Sequence, residues 1–559
     1  MSKQTLKKIE NISAVILTLL ILTVCVWKLR YGIDVQDTSS YITKFRYFFE
    51  KGTGGNALYY LLGEFLGSLI YQVFPTLYAL NVAGLIVWAI TGILIYRIMS
   101  PYLSRLPLTA AVLGGLAFSV SWVRCVNWNA WSMLFLTMGM LFLLNGFDTD
   151  KKSWFYAAGL MLGWNTFTRM PNIIFLGLVV VVFWYYLGED MKKAVGNSLR
   201  MTAGGAFAGI TGCIFSIIFL GFDKFLADIL WLIGSTGDKE SKHNIFDMIS
   251  QVMIGAMDGA RQWIKYGIVM GAMIVLCLII KKKAKKNAIL TGAVFAAAAA
   301  LYLGFTRDVA TSSMPTLLSV QNFLAYGGIA FGIFGAVWFC QSEKRFAAIC
   351  LMEALAMLFM TIGTDTGSIF FRVYMAMPAA VIAAVLWKLP LKELRIMAIF
   401  VVVLTLATGE NCNQNYIYHD GENGEVIDST IHAEVFEGVY TTASRAQYVN
   451  RLIELLEPYE EYELLAIGAF NIGHNVTNMK TFFDSAWSDL DYLSMNEFNT
   501  VLDTKLSGGN VPVIVIGTEK INGPYWVPEK IEILKELVQT EMFACIHSDE
   551  WYSVYVPAE

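Results

Sequence analysis

Two aspartates, Asp34 and Asp37, lie three residues apart in a polar segment between long apolar runs of the sequence. A carboxylate can act as a general base that removes a proton from a hydroxyl group, provided that the hydroxyl comes within hydrogen-bonding distance. The alternative is structural, because Asp37 stands where the cap of the following helix would be expected. We predict that Asp37 is the base and that Asp34 supports it, while the capping role stays open.

Four arginines form a second set of candidates, each at or near the end of an apolar run: Arg124, Arg169, Arg307 and Arg372. Guanidinium groups bind phosphate oxygens in pairs and stabilise charge on a departing phosphate. The alternative is that each side chain extends to lipid headgroups or pairs with a carboxylate such as Asp308 or Asp365. Arg372 and Arg307 are the strongest candidates for a phosphate contact.

The composition defines the surroundings of these residues. Of 559 residues, 56% are hydrophobic and only 15% are charged, and the mean hydropathy is +0.54. Soluble domains carry roughly 25% charged residues. Ordinary soluble, disordered and disulfide-scaffold proteins are therefore excluded, and the fold class predicted is a mainly α, polytopic membrane protein. The eight cysteines show no metal-ligand spacing, and only Cys412 and Cys545 could pair outside the membrane.

About thirteen apolar segments are predicted to be membrane spans. They lie near residues 12–27, 76–98, 108–124, 128–146, 154–169, 171–188, 201–221, 263–280, 288–305, 316–340, 346–363, 373–388 and 396–409. Lysines and arginines concentrate in alternate connections, which predicts a multi-pass protein of the plasma (cell inner) membrane with a cytoplasmic N-terminus. An odd number of spans then places everything after Gly409 on the outer side.

The charge distribution divides the chain into two predicted domains. Residues 1–409 carry 34 Lys and Arg against 20 Asp and Glu, a net charge of +14, whereas residues 410–559 carry 7 against 25, a net charge of −18. The second part is predicted to be an extracytoplasmic α/β domain with helices at 445–456 and 528–538, strands at 464–470 and 511–516, and a hairpin near 543–556. It contains no phosphate-binding loop and no nucleophile motif, so an accessory or binding role is favoured. Residues 475–477 match a glycosylation sequon, a three-residue pattern that is common by chance.

Two loops on the predicted outer side are long enough to be functional. The first, residues 29–75, contains the aspartates and two amphipathic segments, 41–49 and 57–74, which are predicted to lie in the membrane interface. A carboxylate there can meet a lipid-linked and a water-soluble substrate together. The second, residues 222–263, is expected to be either a mobile lid or a disordered connection.

Three short motifs carry a resemblance to a known family. An acid stands four residues before a tyrosine at Asp37 and Tyr41, a glycine-rich segment at 159–171 ends in Arg169 and a proline, and residues 371–378 contain Arg372 and Tyr374 before another proline. Together with the layout of spans and tail, they resemble the C-type (GT-C) glycosyltransferase superfamily, particularly the aminoarabinose and protein-mannosyl transferases. The chain departs from that pattern at Thr38, where the family has a second acid, and at 55–60, where paired prolines are missing.

The resemblance implies an integral-membrane glycosyltransferase that takes a sugar from a polyprenyl-phosphate donor and passes it to a lipid, glycan or protein acceptor at the outer face. It implies catalysis by Asp37 with Asp34, and substrate contacts from Tyr41, Asn127, Arg169, Arg307, Arg372 and Tyr374. For Asn127, capping of the next helix is the favoured alternative. No cofactor is certain, although the two aspartates could contribute oxygen ligands to a divalent cation.

Two other functions stay open, namely a lipid-linked oligosaccharide flippase or other membrane transporter, and a noncatalytic scaffold that binds a polymer. Transporters usually contain internal repeats, and the sequence shows no clear repeat. Membrane lipids are expected partners and nucleic acids are not.

Overall fold

A computed structural model describes residues 3–50, 58–237, 245–283, 288–305, 315–360, 362, 367–421, 425–483, 485, 487–489, 493–523 and 525–558. Within these ranges sixteen α-helices are followed by a part of mixed helices and strands, residues 416–559, which we call the C-terminal region. The predicted fold class, a mainly α membrane protein with a C-terminal α/β part, is confirmed.

The helices before the C-terminal region follow one another closely. They are α1 (Lys3–Lys28), α2 (Asp37–Tyr47), α3 (Leu61–Val73), α4 (Leu77–Met99), α5 (Arg105–Ser121), α6 (Trp128–Thr149), α7 (Lys152–Thr168), α8 (Val179–Tyr186), α9 (Met191–Leu220), α10 (Phe222–Gly237), α11 (Ile245–Lys283), α12 (Ala288–Phe305), α13 (Pro315–Trp338), α14 (Lys344–Met360), α15 (Ala376–Lys388) and α16 (Leu394–Asn415). Three 3₁₀ helices interrupt them, Leu58–Tyr60 before α3, Met170–Leu178 before α8 and Gly367–Tyr374 before α15.

Every apolar segment identified in the sequence overlaps one of these helices, although the first half of 171–188 forms the 3₁₀ helix Met170–Leu178. Among the described residues, seven helices are long and apolar enough to cross a membrane, namely α1, α4, α6, α9, α11, α13 and α16. Four shorter apolar helical segments accompany them, 105–121, 170–186, 289–305 and 376–388. The chain is therefore a multi-pass membrane protein, while the count of thirteen spans stays a prediction.

Glycines allow the close approach of α7 and α9. A Cβ atom on Gly159 would collide with the Met201 carbonyl oxygen, and one on Gly163 would overlap the Ala208 side chain. In membrane helices such small residues let backbones approach and replace the hydrophobic driving force that water supplies elsewhere. The glycine-rich motif at 159–171 thus has a packing role, which fixes the end of α7 where Arg169 follows.

The expectation of an open loop over residues 222–263 is wrong for the part that the structure describes. Helices α10 and α11 occupy most of it, and only 238–244 lie outside the described residues. The Asp228 carboxylate of α10 accepts a hydrogen bond of 2.9 Å from the Leu58 backbone amide, and the Trp231 ring lies 5.1 Å from the Tyr59 ring. Helix α10 therefore packs on the 3₁₀ helix Leu58–Tyr60 that precedes α3.

The two amphipathic segments of the first predicted outer loop form α2 and α3, as expected. Helix α2 begins earlier than predicted, at Asp37 rather than at Tyr41. The ammonium group of Lys44 lies 2.7 Å from Glu64 Oε1, and both side chains are buried. Separation of a buried ion pair is costly, so this contact fixes α2 against α3.

The C-terminal region contains short helices and strands. They are β1 (Ile427–Ser429), β2 (Thr441–Thr442), α17 (Ala443–Leu456), β3 (Leu464–Ile467), α18 (Gly473–Val476), α19 (Met495–Ser507), β4 (Val513–Gly517), α20 (Glu519–Asn522), α21 (Pro528–Leu537), β5 (Phe543–Ser548) and β6 (Tyr552–Pro557).

Four of the strands form one sheet, in the order β3-β4-β6-β5. Strands β3 and β4 are parallel, with Leu464 opposite Val513, and β6 pairs with both β4 and β5 in antiparallel fashion. The predicted helices, strands and final hairpin are all present. Cys412 and Cys545 are both free thiols, so the suggested disulfide is not formed.

Candidate functional site

The two aspartates of the first loop have different partners. The Asp34 carboxylate accepts hydrogen bonds from the backbone amides of Gln36 (3.0 Å) and Thr38 (2.7 Å), and its side chain is buried. It thereby satisfies amides that the first turn of α2 leaves without an intrahelical partner. The capping role that the sequence left open therefore belongs to Asp34, and the structure gives it a positioning function.

Asp37 is the first residue of α2 and its side chain is half-buried. Its carboxylate Oδ2 accepts a hydrogen bond of 2.5 Å from the hydroxyl of Tyr418, in the segment that follows α16. Burial and the nearby negative charge of Asp34 raise the pKa of Asp37 to about 6, against the opposing effects of the Tyr418 hydrogen bond and of His419. A carboxylate with a pKa near the working pH is suited to general base catalysis.

The loop that carries Asp34 is fixed by the C-terminal region. Asp420 Oδ2 accepts hydrogen bonds from the Ile33 amide (2.8 Å) and the Thr441 hydroxyl (2.7 Å). The guanidinium of Arg445 donates to the Ile33 carbonyl at 2.5 Å, and its Nη1 lies 3.4 Å from Asp420 Oδ1. These contacts bring residues almost 400 positions apart to one place, a convergence that no local pattern indicated.

Gly32 makes this loop possible. Its φ of +101° lies in the left-handed region, which favours glycine, and a Cβ there would collide with the Ile417 side chain. Its amide donates a hydrogen bond of 2.8 Å to the Tyr440 carbonyl, so the backbone itself joins α1 to the C-terminal region.

Arg372, from the 3₁₀ helix before α15, is connected to Asp37 by a series of aromatic side chains. Its guanidinium carbon is 5.1 Å from the centre of the Trp122 ring and 5.7 Å from that of Tyr416. The Trp122 ring in turn lies 6.4 Å from the ring of Tyr418, which bonds to Asp37. Arg372 has no exposed surface, and its Nε contacts Gln321 Oε1 at 3.5 Å. Arg372 and Asp37 are thus connected through Trp122 and Tyr418, and a phosphate contact by Arg372 stays a prediction.

Arg169 reaches the same helix α2 from another direction. Its guanidinium carbon lies 5.3 Å from the centre of the Trp128 ring, which stacks on Tyr60 at 4.9 Å. The indole Nε1 of Trp128 donates a hydrogen bond of 3.1 Å to the hydroxyl of Tyr41. Tyr41 follows Asp37 by about one helical turn. Arg169 is therefore connected to the start of α2 through Trp128 and Tyr41, and Arg372 through Trp122 and Tyr418.

A buried polar network holds Arg169 at the break between α7 and the 3₁₀ helix. The Thr168 hydroxyl lies 2.9 Å from that of Ser132 and 2.8 Å from Asn165 Oδ1, and the Asn172 amide donates to both Ser132 and Asn165. Arg169 itself has extended backbone angles, and Met170 and Pro171 begin the next helical segment. Buried hydrogen-bond networks of this kind favour one conformation of a segment.

An apolar cavity of about 410 Å³ begins beside this break. Thr166, Phe167 and Met170, which flank Arg169 in the sequence, contribute to its wall, and α9 supplies Gly205 and Gly209 on the opposite side. The exposed apolar side chains of α9, such as Phe207 and Ile210, are typical of a helix that faces lipid. An isoprenoid chain has the chemistry that such a wall accommodates.

Three further predicted site residues have other surroundings, and a fourth is not described. Asn127 Oδ1 accepts hydrogen bonds from the amides of Asn129 and Ala130, so it caps α6. Tyr374 is buried with its hydroxyl 3.4 Å from Met140 Sδ, among packing residues. Arg124 donates through its guanidinium to the carbonyls of Tyr31 and Tyr416. Arg307, together with Asp308, lies outside the described residues.

Sequence reasoning missed Tyr418, Trp122 and Trp128, which connect the predicted site residues. Each is an aromatic residue at the end of a helix, a position that is usually explained by the membrane interface. The one usable signal was the proximity of Trp122 and Trp128 to charged or polar candidates in the sequence. Among the residues that the structure describes, no group of three or more His, Cys, Asp and Glu side chains is arranged to hold a metal ion.

The family comparison bears directly on one of these arrangements. Residues 59–214 match the profile of the dolichyl-phosphate-mannose-protein mannosyltransferase family. The matched part runs from α3 to α9 and includes Arg169, its polar network and most of the cavity wall, whereas Asp37 and Arg372 lie outside it. Over residues 59–214, which contain the glycine-rich motif, the match confirms the resemblance to membrane glycosyltransferases that the sequence motifs indicated.

No curated protein sequence matches the chain. Among solved structures, oligosaccharyltransferase from Archaeoglobus fulgidus, in a complex with Zn and sulfate, overlaps 98% of this chain and 73% of its own, with 12% identity and a TM-score of 0.49. The ArnT protein from Cupriavidus metallidurans, bound to undecaprenyl phosphate, overlaps 97% of both chains with 12% identity and a TM-score of 0.40. At these TM-scores the likeness supports no argument about the site.

Proposed function

We propose that the chain transfers a sugar from a polyprenyl-phosphate donor to a lipid, glycan or protein acceptor, with Asp37 as the general base. The observation that supports this most is the arrangement around the first turn of α2. It combines a carboxylate whose pKa is raised to about 6 with two arginines, each approaching through a tryptophan. Glycosyl transfer from a phosphate donor requires a base that removes the proton of the acceptor and cations that stabilise the charge of the donor phosphate.

In this proposal Asp37 removes the proton of the acceptor hydroxyl as its oxygen attacks the anomeric carbon of the sugar. The bond between that carbon and the phosphate oxygen breaks, and the lipid phosphate leaves with both electrons. Tyr418 orients the carboxylate through its hydrogen bond, and Asp34 fixes the turn from which Asp37 projects. Tyr41, bonded to Trp128, contributes to the same surface.

The two arginines have separate parts in the proposal. Arg169 contacts the donor phosphate, because the segment that carries it also forms the wall of the apolar cavity, where the first isoprene units of the donor fit. Arg372 has no exposed surface, so in this proposal it acts through Trp122 and Tyr418 on the orientation of Asp37 rather than by contact with the phosphate. Arg307 stays a candidate for a phosphate contact on the basis of the sequence alone.

The orientation belongs to the proposal as well. The distribution of lysines and arginines supports a cytoplasmic N-terminus in the plasma (inner) membrane, with the active site and the C-terminal region on the extracytoplasmic side. It also supports a division into a membrane domain, 1–409, and an extracytoplasmic domain, 410–559, although α16 itself continues to Asn415.

The test uses the full-length protein reconstituted in phospholipid nanodiscs with a panel of radiolabelled polyprenyl-phosphate monosaccharides. Transfer to added membrane lipids, glycans or protein, or release of the lipid phosphate, is measured by chromatography and mass spectrometry. Asp37→Asn should lower the rate at least 100-fold while the amount of folded protein stays unchanged. Full activity of Asp37→Asn would show that the base is wrongly assigned, and no turnover of any donor by the unmodified protein would overturn the function itself.

A further inference from the structure

Helix α2 is held along one side by residues 471–479 of the C-terminal region. These residues include the short helix α18 and the turns on both sides of it. Their hydrogen bonds begin at Gln36, just before Asp37, and end at Tyr47, the last residue of α2. The pairs are Asn471 Nδ2 to the Gln36 carbonyl (3.2 Å), Asn475 Nδ2 to the Ser39 carbonyl (2.8 Å), Thr43 Oγ1 to Asn475 Oδ1 (3.0 Å), Arg46 Nη1 to the Thr477 carbonyl (2.8 Å), Arg46 Nη2 to Asn478 Oδ1 (2.6 Å) and the Tyr47 hydroxyl to the Met479 carbonyl (3.3 Å).

Asn475 is the central member of this set. Its amide donates to Ser39 at one end and accepts from Thr43 at the other, and all three residues are buried. Ser39 and Thr43 lie one turn apart on the same side of α2, so the Asn475 side chain binds two successive turns of this helix. Although residues 475–477 match a glycosylation sequon, both ends of the Asn475 amide are engaged in the protein interior.

Residues 471–479 bind the backbone on both sides of Asp37 in the sequence. Asn471 binds the backbone at Gln36 and Asn475 binds it at Ser39, so the backbone is fixed immediately before and shortly after the candidate base. A sideways shift of α2 would lengthen the hydrogen bond of 2.5 Å between the Tyr418 hydroxyl and Asp37 Oδ2. A misplacement of about 1 Å in a catalytic group can cost on the order of 100-fold in rate.

We propose that residues 471–479 are a positioning element of the transferase site, which holds α2 in the orientation that keeps Asp37 against Tyr418, with Asn475 as the central positioning residue. The inference rests on the proposed function of Asp37 and assigns a role to the C-terminal region. That region is then a required part of the site rather than an independent appendage, even though its own residues carry no catalytic motif.

The first experiment requires no substrate. Amide hydrogen exchange is measured on the full chain in nanodiscs for the unmodified protein, Asn475→Ala and Asn450→Ala. Asn450 is a matched control, because both ends of its amide are also hydrogen-bonded, to the Thr430 carbonyl and the His432 amide, within the C-terminal region. Exchange in peptides covering residues 37–47 should be faster in Asn475→Ala and unchanged in Asn450→Ala. Equal exchange in all three proteins would overturn the proposal.

The second experiment separates positioning from folding. With a polyprenyl-phosphate monosaccharide as donor, Asn475→Ala should lower kcat per folded molecule by about 10- to 100-fold and leave KM within about twofold. Thr43→Val, which removes the hydroxyl that Asn475 accepts from, should reproduce the loss, and Thr43→Ser, which keeps it, should restore most of the rate. Loss of folded protein at unchanged kcat would assign Asn475 a structural role only and overturn the proposal.

The two proposals fail in different ways. An active Asp37→Asn variant contradicts the base assignment and leaves the exchange result on α2 intact. An inactive Asp37→Asn variant combined with a fully active Asn475→Ala variant contradicts the positioning role and leaves the proposed function intact.

Discussion

Two arginine–tryptophan pairs flank the first turn of α2, and they differ in what surrounds them. Arg372 and Trp122 are enclosed by Tyr416 and Gln321, and the arginine has no exposed surface. Arg169 is also buried, but it lies with Trp128 at a helix break where its neighbours Phe167 and Met170 line an apolar cavity of about 410 Å³. The family match of residues 59–214 contains both residues of the second pair and only Trp122 of the first.

The difference separates two roles for the same side-chain chemistry. A guanidinium stacked on an indole is held by cation–π attraction whether or not a ligand is present. Only a guanidinium beside an apolar cavity can meet a phosphate while the lipid chain stays out of water. The environment of the Arg169 pair therefore suits donor binding, and that of the Arg372 pair suits the orientation of Tyr418 and Asp37.

The largest effect is expected from the arginines themselves. Arg169→Gln should lower kcat/KM by about 100-fold, because it removes a charged donor aimed at the phosphate. Arg372→Gln should lower kcat about tenfold and leave KM for the donor nearly unchanged, since it acts through Trp122 and Tyr418. Arg200→Gln, at a position bonded to Asn197 in α9, is a control that should behave like the unmodified protein. Steady-state kinetics with a lipid-linked monosaccharide measure all three variants. A larger loss of kcat/KM in Arg372→Gln than in Arg169→Gln would exchange the roles of the two arginines.

A smaller effect should follow from filling the cavity. A Cβ on Gly209 meets no other atom within 4 Å, so Gly209→Leu places its side chain in the cavity without a clash at that atom. KM for a long-chain donor should rise about tenfold, which corresponds to roughly two buried methylene groups. Gly209→Ala should change it little. The comparison is made with short- and long-chain donors, and equal changes for both would place the lipid chain elsewhere.

The smallest effect concerns pH. Asp37 must be ionised to accept a proton, so the rate should fall as the pH drops through about 6. Tyr418→Phe removes the hydrogen bond that stabilises the carboxylate beside Asp34 and His419, so the pKa of Asp37 rises and the acid limb moves to higher pH. The shift should be about half a unit to one unit, from a hydrogen bond worth about 1 kcal/mol. The pH profile of kcat measures it; an unchanged limb would mean that another group titrates.

Much of the fold could be predicted because its signals are local. Apolar runs long enough to form helices gave the helical segments of the membrane part, and the periodicity of 445–456 and 528–538 gave α17 and α21. The wrong prediction of a loop over residues 222–263 has a physical reason. The polar residues around Asp238 suggested a loop, yet α10 is stabilised by tertiary contacts, such as that of Asp228 with Leu58, which are not visible in a short window of sequence.

For the site, the sequence determined which residue types are available and at what spacing, including Asp34 and Asp37, Arg169 and Arg372. The sequence could not assign separate roles to the two aspartates, because both stand at the start of the same helix. That division was decided by partners far along the chain: Asp34 caps α2, whereas Asp37 meets Tyr418, 381 residues later. Hydropathy and periodicity follow neighbouring residues, but the pKa and orientation of a carboxylate depend on everything packed around it, and only the tertiary structure brings those groups together.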